Sequence, residues 1–172
     1  CILDLFKKLE ELKEVAKDLP SLPEEEQGLL EGYLAQQPLV DYYVKQLDQL
    51  PLRVMHNDTK INNLIFAPTL EKVEALVDLD TLMGGYLMYD FGDLVRTVAC
   101  SLPETSTEWN QIQALPELVE ELLSGYLEGL EGALSDEEMD SLLFGGEIMT
   151  LIMGLRFLTD HLEGNVYYRV TY

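Results

Sequence analysis

Apolar positions along the chain change texture twice. Up to about residue 50 they recur at three- and four-residue steps. Ile2, Leu5, Phe6, Leu9, Leu12 and Ala16 predict an amphipathic helix ending near Leu19 and Pro20. A second helix is expected behind a capping box of Ser21 and Glu24, with Pro23 at its first position and Leu29, Leu30 and Leu34 on one apolar face. Residues 38–47 predict a third. From Pro51 the short apolar runs 52–55, 63–66 and 74–79 predict strands, the last two joined through 67–73, where Pro68 and charged residues suit a hairpin. Helical spacing returns at Asp90, expected to cap a helix reaching Cys100 with Asp93 in its first turn. Pro116 opens another, with Leu118, Leu122, Leu123, Tyr126 and Leu130 facing the core. Ser135 and Glu138 form a capping box for a long helix carrying Met139, Leu142, Leu143, Ile148, Ile152, Leu155 and Leu158. Gly145 and Gly146 are placed to bend it and Gly164 to end it.

Composition narrows the partners. The chain has 172 residues, 47% of them hydrophobic, enough for a core, and a formal charge of −21 from 11 basic and 32 acidic side chains. That charge argues against nucleic acid and against an anionic membrane surface. A polyphosphate would need a bridging metal or basic groups from elsewhere. Cys1 and Cys100 make no disulfide framework, so a cytoplasmic setting is expected. No run of roughly 18 to 20 apolar residues and no signal-peptide pattern is evident. A start at Cys1, directly followed by a helical pattern, leads us to expect a segment of a longer chain.

The chemistry is concentrated in His56-Asn57-Asp58-Thr59-Lys60-Ile61-Asn62-Asn63, followed by Val77-Asp78-Leu79-Asp80. The first stretch fits H-x-D-x-x-x-x-N. In phosphoryl transfer that spacing lets an Asp meet an acceptor hydroxyl while an Asn one loop later turns back to hold Mg²⁺. A hairpin centred near Leu70 would set Leu64 opposite Val77 and so Asn63 opposite Asp78, giving two oxygen ligands across one ladder. One amide oxygen, one carboxylate and nucleotide phosphates make a shell suited to Mg²⁺. A bulge would alter this pairing.

These residues, with 50–63, 77–81, Tyr89-Asp90-Phe91-Gly92-Asp93 and Leu155-Arg156-Phe157-Leu158-Thr159-Asp160, resemble the N-acetylhexosamine 1-kinases of the aminoglycoside phosphotransferase and choline kinase superfamily. The resemblance covers about residues 50–168. It implies a two-lobed, protein-kinase-like fold and transfer of the γ-phosphate of ATP to the anomeric hydroxyl of an amino sugar. It further implies Asp58 as catalytic base and Lys60 near the transferred phosphate. Asn63 and Asp78 would be Mg²⁺ ligands, and Arg156 and Tyr167 would contact the sugar or its phosphate. Thr59 and Lys60 depart from the H-G-D-L-H-x-x-N form common in the superfamily. A glycine-rich nucleotide loop and a strand Lys with its Glu partner are not seen, so this segment alone is expected not to turn over.

Plainer readings stand beside these. His56 is expected to hold backbone rather than move protons. Asp80 either caps the following turn or reaches a second metal. By analogy Asp93 supports the loop backbone, its alternative being a first-turn helix charge. Asp90-Phe91-Gly92 spells the metal triplet of protein kinases but lies 32 residues past Asp58, and is read as a decoy. Arg156 in an apolar helix points to a site, its alternative being a pair with Asp160. Tyr126, Tyr167 and the methionines of the long helix have core packing as their alternative. Residues 75–81 also imitate the D-x-D-x-T strand of haloacid-dehalogenase-type phosphatases, and a non-catalytic kinase-like module is a further alternative. The expected fold is α+β and mainly α, the C-terminal lobe of a kinase-like protein over residues 1–172. It would comprise a helical substrate-side segment (1–50), a catalytic loop with a small metal-binding hairpin sheet (51–81) and a helical core (82–172). The expected partners are a small sugar-like acceptor and the chain's own N-terminal nucleotide-binding lobe.

Overall fold

The computed structural model describes residues 4–19, 21–103 and 106–168; the helical start expected at Ile2 lies outside them, and the first helix ends at Lys17, just ahead of the end expected near Leu19 and Pro20. The fold is α+β and mainly helical, as the periodicities predict. Two compact units can be distinguished, one comprising Cys1–Gln49 with Thr150–Tyr172 and the other Leu50–Met149.

In the first unit, helix α1 (Leu5–Lys17) begins where the Asp4 carboxylate accepts the Lys7 amide at 3.0 Å, and it buries Leu5, Leu9 and Leu12. Phe6 stays largely exposed. Helix α2 (Glu24–Leu34) differs from expectation. Pro23 occupies the cap position and no side chain caps the helix, so the Ser21–Glu24 box does not form. None of its residues is fully buried, and Leu29 is exposed. Tyr33 instead supplies its contact, lying so close to Gly154 that an added Cβ there would fall on the phenol oxygen. Helix α3 (Gln37–Leu47) packs against α1 and buries Val40 and Tyr43.

Among its described residues the second unit has four short strands in two antiparallel pairs. β1 (Arg53–Met55) pairs with β4 (Met83–Gly85) in the register Arg53↔Gly85, Val54↔Gly84, Met55↔Met83. β2 (Leu64–Phe66) and β3 (Val73–Leu76) form the predicted hairpin. The expected register is corrected by one residue: Leu64 faces Leu76, and the Val77 amide donates to the Asn63 carbonyl at 3.0 Å, so Asn63 lies opposite Val77 and not Asp78. Beside the turn the offset is larger, since Phe66 faces Val73, and the irregularity between Ile65 and Phe66 takes up part of it.

Helix α4 (Leu87–Val98) starts three residues before the predicted cap, and Asp90 sits inside its first turn. Helix α5 (Pro116–Gly129) opens on its proline as expected. The capping box of helix α6 (Asp136–Leu162) forms as predicted, with the Glu138 amide donating to Ser135 Oγ at 3.2 Å and the Ser135 amide to Glu138 Oε2 at 3.0 Å. Gly145 and Gly146 do not break α6. They let it approach α4, since a Cβ on Gly92 would meet the Gly145 carbonyl oxygen at 2.1 Å and one on Gly146 would meet Val95 Cγ1 at 2.7 Å. Met55, Leu87, Phe91 and Leu142 form the core, with Leu122 and Tyr126 of α5 packed against it. By length and composition α6 is apolar enough to cross a bilayer, contrary to the sequence expectation. Its Leu142, Ile148, Met149, Ile152 and Leu155 are core residues here.

Candidate functional site

The loop 56–63 leaves the end of β1 and returns through a single 3-10 turn (Ile61–Asn63) into β2. Both ends are thus fixed to strands. The backbone amides of His56 and Asn57 donate to Asp90 Oδ2 and Oδ1 at 2.9 and 2.7 Å, and Thr59 Oγ1 donates to the Asp90 carbonyl at 2.6 Å. The Ile61 amide donates to Thr97 Oγ1 at 3.2 Å. Four loop groups therefore rest on one face of α4. Burial pushes the Asp90 carboxyl above its ordinary range, while the two donated amide bonds pull the other way.

Asp58 is the centre of what remains partly open. Its Oδ2 accepts from Lys60 Nζ at 2.9 Å and from Asn63 Nδ2 at 2.9 Å, and its carbonyl accepts from Asn63 Nδ2 at 2.7 Å. Both side-chain bonds fall on one oxygen, which leaves Oδ1 available to an acceptor hydroxyl. They also fix the Asn63 amide so that Oδ1 is its unengaged end. Burial acts against the Lys60 charge, but the hydrogen bond and field of Asp58, with the fields of Asp78 and Asp93, outweigh it and hold the ammonium above its ordinary range. Lys60 thus stays cationic at neutral pH. Asp78 adds to this field from an exposed position just after β3, in the left-handed region at φ 64°. Asn57, next to Asp58, is also left-handed at φ 61°. Asn and Asp tolerate this region better than other residues with a side chain, so both positions adopt it at modest cost.

The remaining predicted residues fall as follows. His56 is buried, and its Nε2 lies 2.9 Å from the Val77 carbonyl, so it holds the backbone just ahead of Asp78. Asp80 is exposed within the 3-10 turn Leu79–Thr81, inside the turn and not at its cap. The His56 and Asn57 amides rest on Asp90, one turn before Asp93. The Asp93 Oδ1 accepts from Arg96 Nε and Nη2 at 3.0 and 2.8 Å. Asp90 is therefore a loop support that the sequence reading passed over. Its signal is the Tyr-Asp-Phe-Gly-Asp segment, in which Asp90 was expected only as a helix cap. Arg156 and Tyr167 belong to the first unit. The Arg156 guanidinium carbon lies 5.6 Å from the Tyr168 ring centre, and its Nη1 approaches Met153 Sδ at 3.3 Å. The pairing alternative with Asp160 is not adopted, because that carboxylate accepts the amides of Tyr167 and Tyr168 at 2.7 and 3.1 Å. The Tyr167 side chain is exposed.

Among the described residues no group of three or more His, Cys, Asp or Glu side chains is placed to hold a metal. One amide oxygen on Asn63 and one exposed carboxylate on Asp78 suit a hard cation whose other ligands are waters and phosphates. The model of the family described as the phosphotransferase enzyme family (APH) matches residues 3–135.

Proposed function

Given that the chain belongs to the phosphotransferase enzyme family, we propose that it forms part of an ATP-dependent small-molecule kinase whose acceptor is the anomeric hydroxyl of an N-acetylhexosamine or a related sugar. The observation that carries this reading is the Asp58 carboxylate, with one oxygen tied to Lys60 and Asn63 and the other open, on a loop anchored to α4.

In the proposed reaction the acceptor oxygen forms a bond to the γ-phosphorus of ATP as the bond from that phosphorus to the bridging oxygen breaks and ADP leaves. Asp58 Oδ1 orients the acceptor hydroxyl and takes its proton. Lys60, kept charged by its acidic neighbours, attracts the transferring phosphoryl oxygens, and Asn63 and Asp78 are the residues that would hold Mg²⁺. When bound, Mg²⁺ would neutralise phosphate charge. General-base help is worth about 10² to 10⁴ in rate, so orientation and charge stabilisation supply the larger part. Arg156 and Tyr167 are proposed sugar or phosphate contacts. The hairpin leaves Ile65, Val73 and Leu76 well exposed, which favours a covering partner, and we assign that place to the N-terminal nucleotide-binding lobe.

Two alternatives part company here. A D-x-D-x-T phosphatase needs its first Asp after a strand of a parallel sheet. Asp78 instead follows one arm of an antiparallel hairpin, which speaks against that reading. A non-catalytic kinase-like module is answered by assay. The full-length protein should consume ATP in a Mg²⁺-dependent manner when given one member of a panel of N-acetylhexosamines, aminoglycosides, choline and homoserine. Turnover with an N-acetylhexosamine supports the sugar assignment, and turnover with only another class replaces it. No acceptor-dependent turnover across the panel would leave the non-catalytic reading in its place.

A further inference from the structure

Asn57 stands between the two loop residues that draw attention, and its side chain has no role in the chemistry described so far. It is 7% exposed, and its Nδ2 donates to the carbonyls of Met55 at 3.1 Å and Thr81 at 3.2 Å, with that of Met83 at 3.5 Å. Met55 and Met83 are the last register pair of β1 and β4. The Asn57 carboxamide therefore continues the crossing from β1 to β4 one step beyond the point where the backbone leaves the strand. Thr81 ends the 3-10 turn that begins directly after Asp78.

The opposite end of the same amide is confined as well. A Cβ on Gly85 would lie 2.6 Å from Asn57 Oδ1, whereas one on neighbouring Gly84 would meet nothing within 4 Å. At 85 an added methyl would meet Asn57 Oδ1 first and the Met55 side chain next, at 3.2 and 3.3 Å, whereas 84 is sterically open. The left-handed φ at 57 does not explain the residue, because glycine would adopt it at least as readily. What asparagine adds is a donor aimed at three carbonyls.

From this geometry we propose that Asn57 is a positioning residue, a clamp that holds the loop bearing Asp58 in a fixed relation to the turn after Asp78, with Gly85 kept small to seat it. The proposal rests on the phosphotransfer reading above. Removing the clamp leaves the charges of the site unchanged but lets the base and the metal-side carboxylate move independently. A small misplacement of reacting groups can reduce a rate by about 100-fold.

The test uses the full-length protein carrying Asn57→Gly, Gly85→Ala, both together, and Gly84→Ala, each followed by urea unfolding and by transfer kinetics. We expect Gly85→Ala to lower the unfolding midpoint in the parent and to have a smaller effect beside Asn57→Gly, where the looser Met55 contact remains, with Gly84→Ala near the parent; this non-additivity is the signature of contact. In the kinetics Asn57→Gly should lose up to about 100-fold in kcat with the KM for ATP little changed. The isosteric Asn57→Asp, which has no donor, should not restore it. Additive effects of the two substitutions on unfolding, or a parental kcat in Asn57→Gly, would overturn the clamp. Absence of transfer in the parent would overturn the phosphotransfer reading and the positioning role with it, while the unfolding arm would still report whether Asn57 and Gly85 touch.

Discussion

Asp90 receives two loop amides on one buried carboxylate, and that arrangement makes a sharp prediction. Asp90→Asn keeps the shape but presents an NH₂ group to one of the two donors. Hydrogen bonds to a charged group contribute about 1.5 to 3 kcal/mol each, and a stranded buried donor loses a comparable amount. Because the neutral Asn also escapes the cost of burying a charge, urea unfolding of Asp90→Asn should show a loss nearer the value of one neutral hydrogen bond, about 1 kcal/mol. Because the folded-state pKa of Asp90 is raised by burial, its ionisation works against the fold: this contribution to stability is present below the ordinary carboxylate range and lost as pH rises through the raised value. At the same scale, Asp58, Lys60 and Asn63 were legible from spacing because they share one short loop. That Asp90 takes the His56 and Asn57 amides was not, since this depends on the phase of α4. The phase follows from a start at Leu87 that no capping side chain announces.

Between elements, the contact of α4 with α6 depends on the absence of side chains. Gly92→Ala would drive a methyl into the Gly145 carbonyl, and overpacking of this kind costs about 1 to 3 kcal/mol, so its thermal midpoint should fall clearly below that of Gly84→Ala. Arg53 in β1 ties the loop's leading strand to α6. Its Nε and Nη2 donate to Glu138 Oε1 and Oε2 at 2.8 and 2.7 Å. The hydrogen bond from Arg53 is the first cause holding the Glu138 carboxyl below its ordinary range. The stability that this ionised group provides is present above the unfolded Glu value of about 4.3 and is lost as pH falls through the lower folded value. Denaturation of Glu138→Gln should accordingly be easier than that of the parent at pH 7, with the difference shrinking below about pH 4. The capping box of α6 and the opening of α5 could be read from local signals. β4 could not, because Met-Gly-Gly has little strand character and its partner β1 lies about thirty residues earlier. The hairpin register differs by one residue because the turn is centred ahead of Leu70, with Phe66 facing Val73, and an alternation only three residues long carries no mark of where the turn falls.

For the molecule as a whole, the net charge of −21 and the chemistry pull in opposite directions. An acidic protein repels a triphosphate, so the concentration of ATP needed for half-maximal rate should fall as Mg²⁺ is raised toward saturation of the nucleotide. The class of fold was readable from periodicity because helices α1 and α3 and the core-facing half of α6 each carry a local apolar pattern. The division into two units was less so, since it joins residues from both ends of the chain. The central claim is that Asp58 is the group that accepts the proton of the attacking hydroxyl. Its most direct test is the transfer rate of the full-length protein at saturating Mg²⁺ and ATP, parent against Asp58→Asn, with nucleotide binding measured alongside. The account predicts that binding is kept while transfer falls by about 10² to 10⁴; transfer within a few-fold of the parent would contradict it.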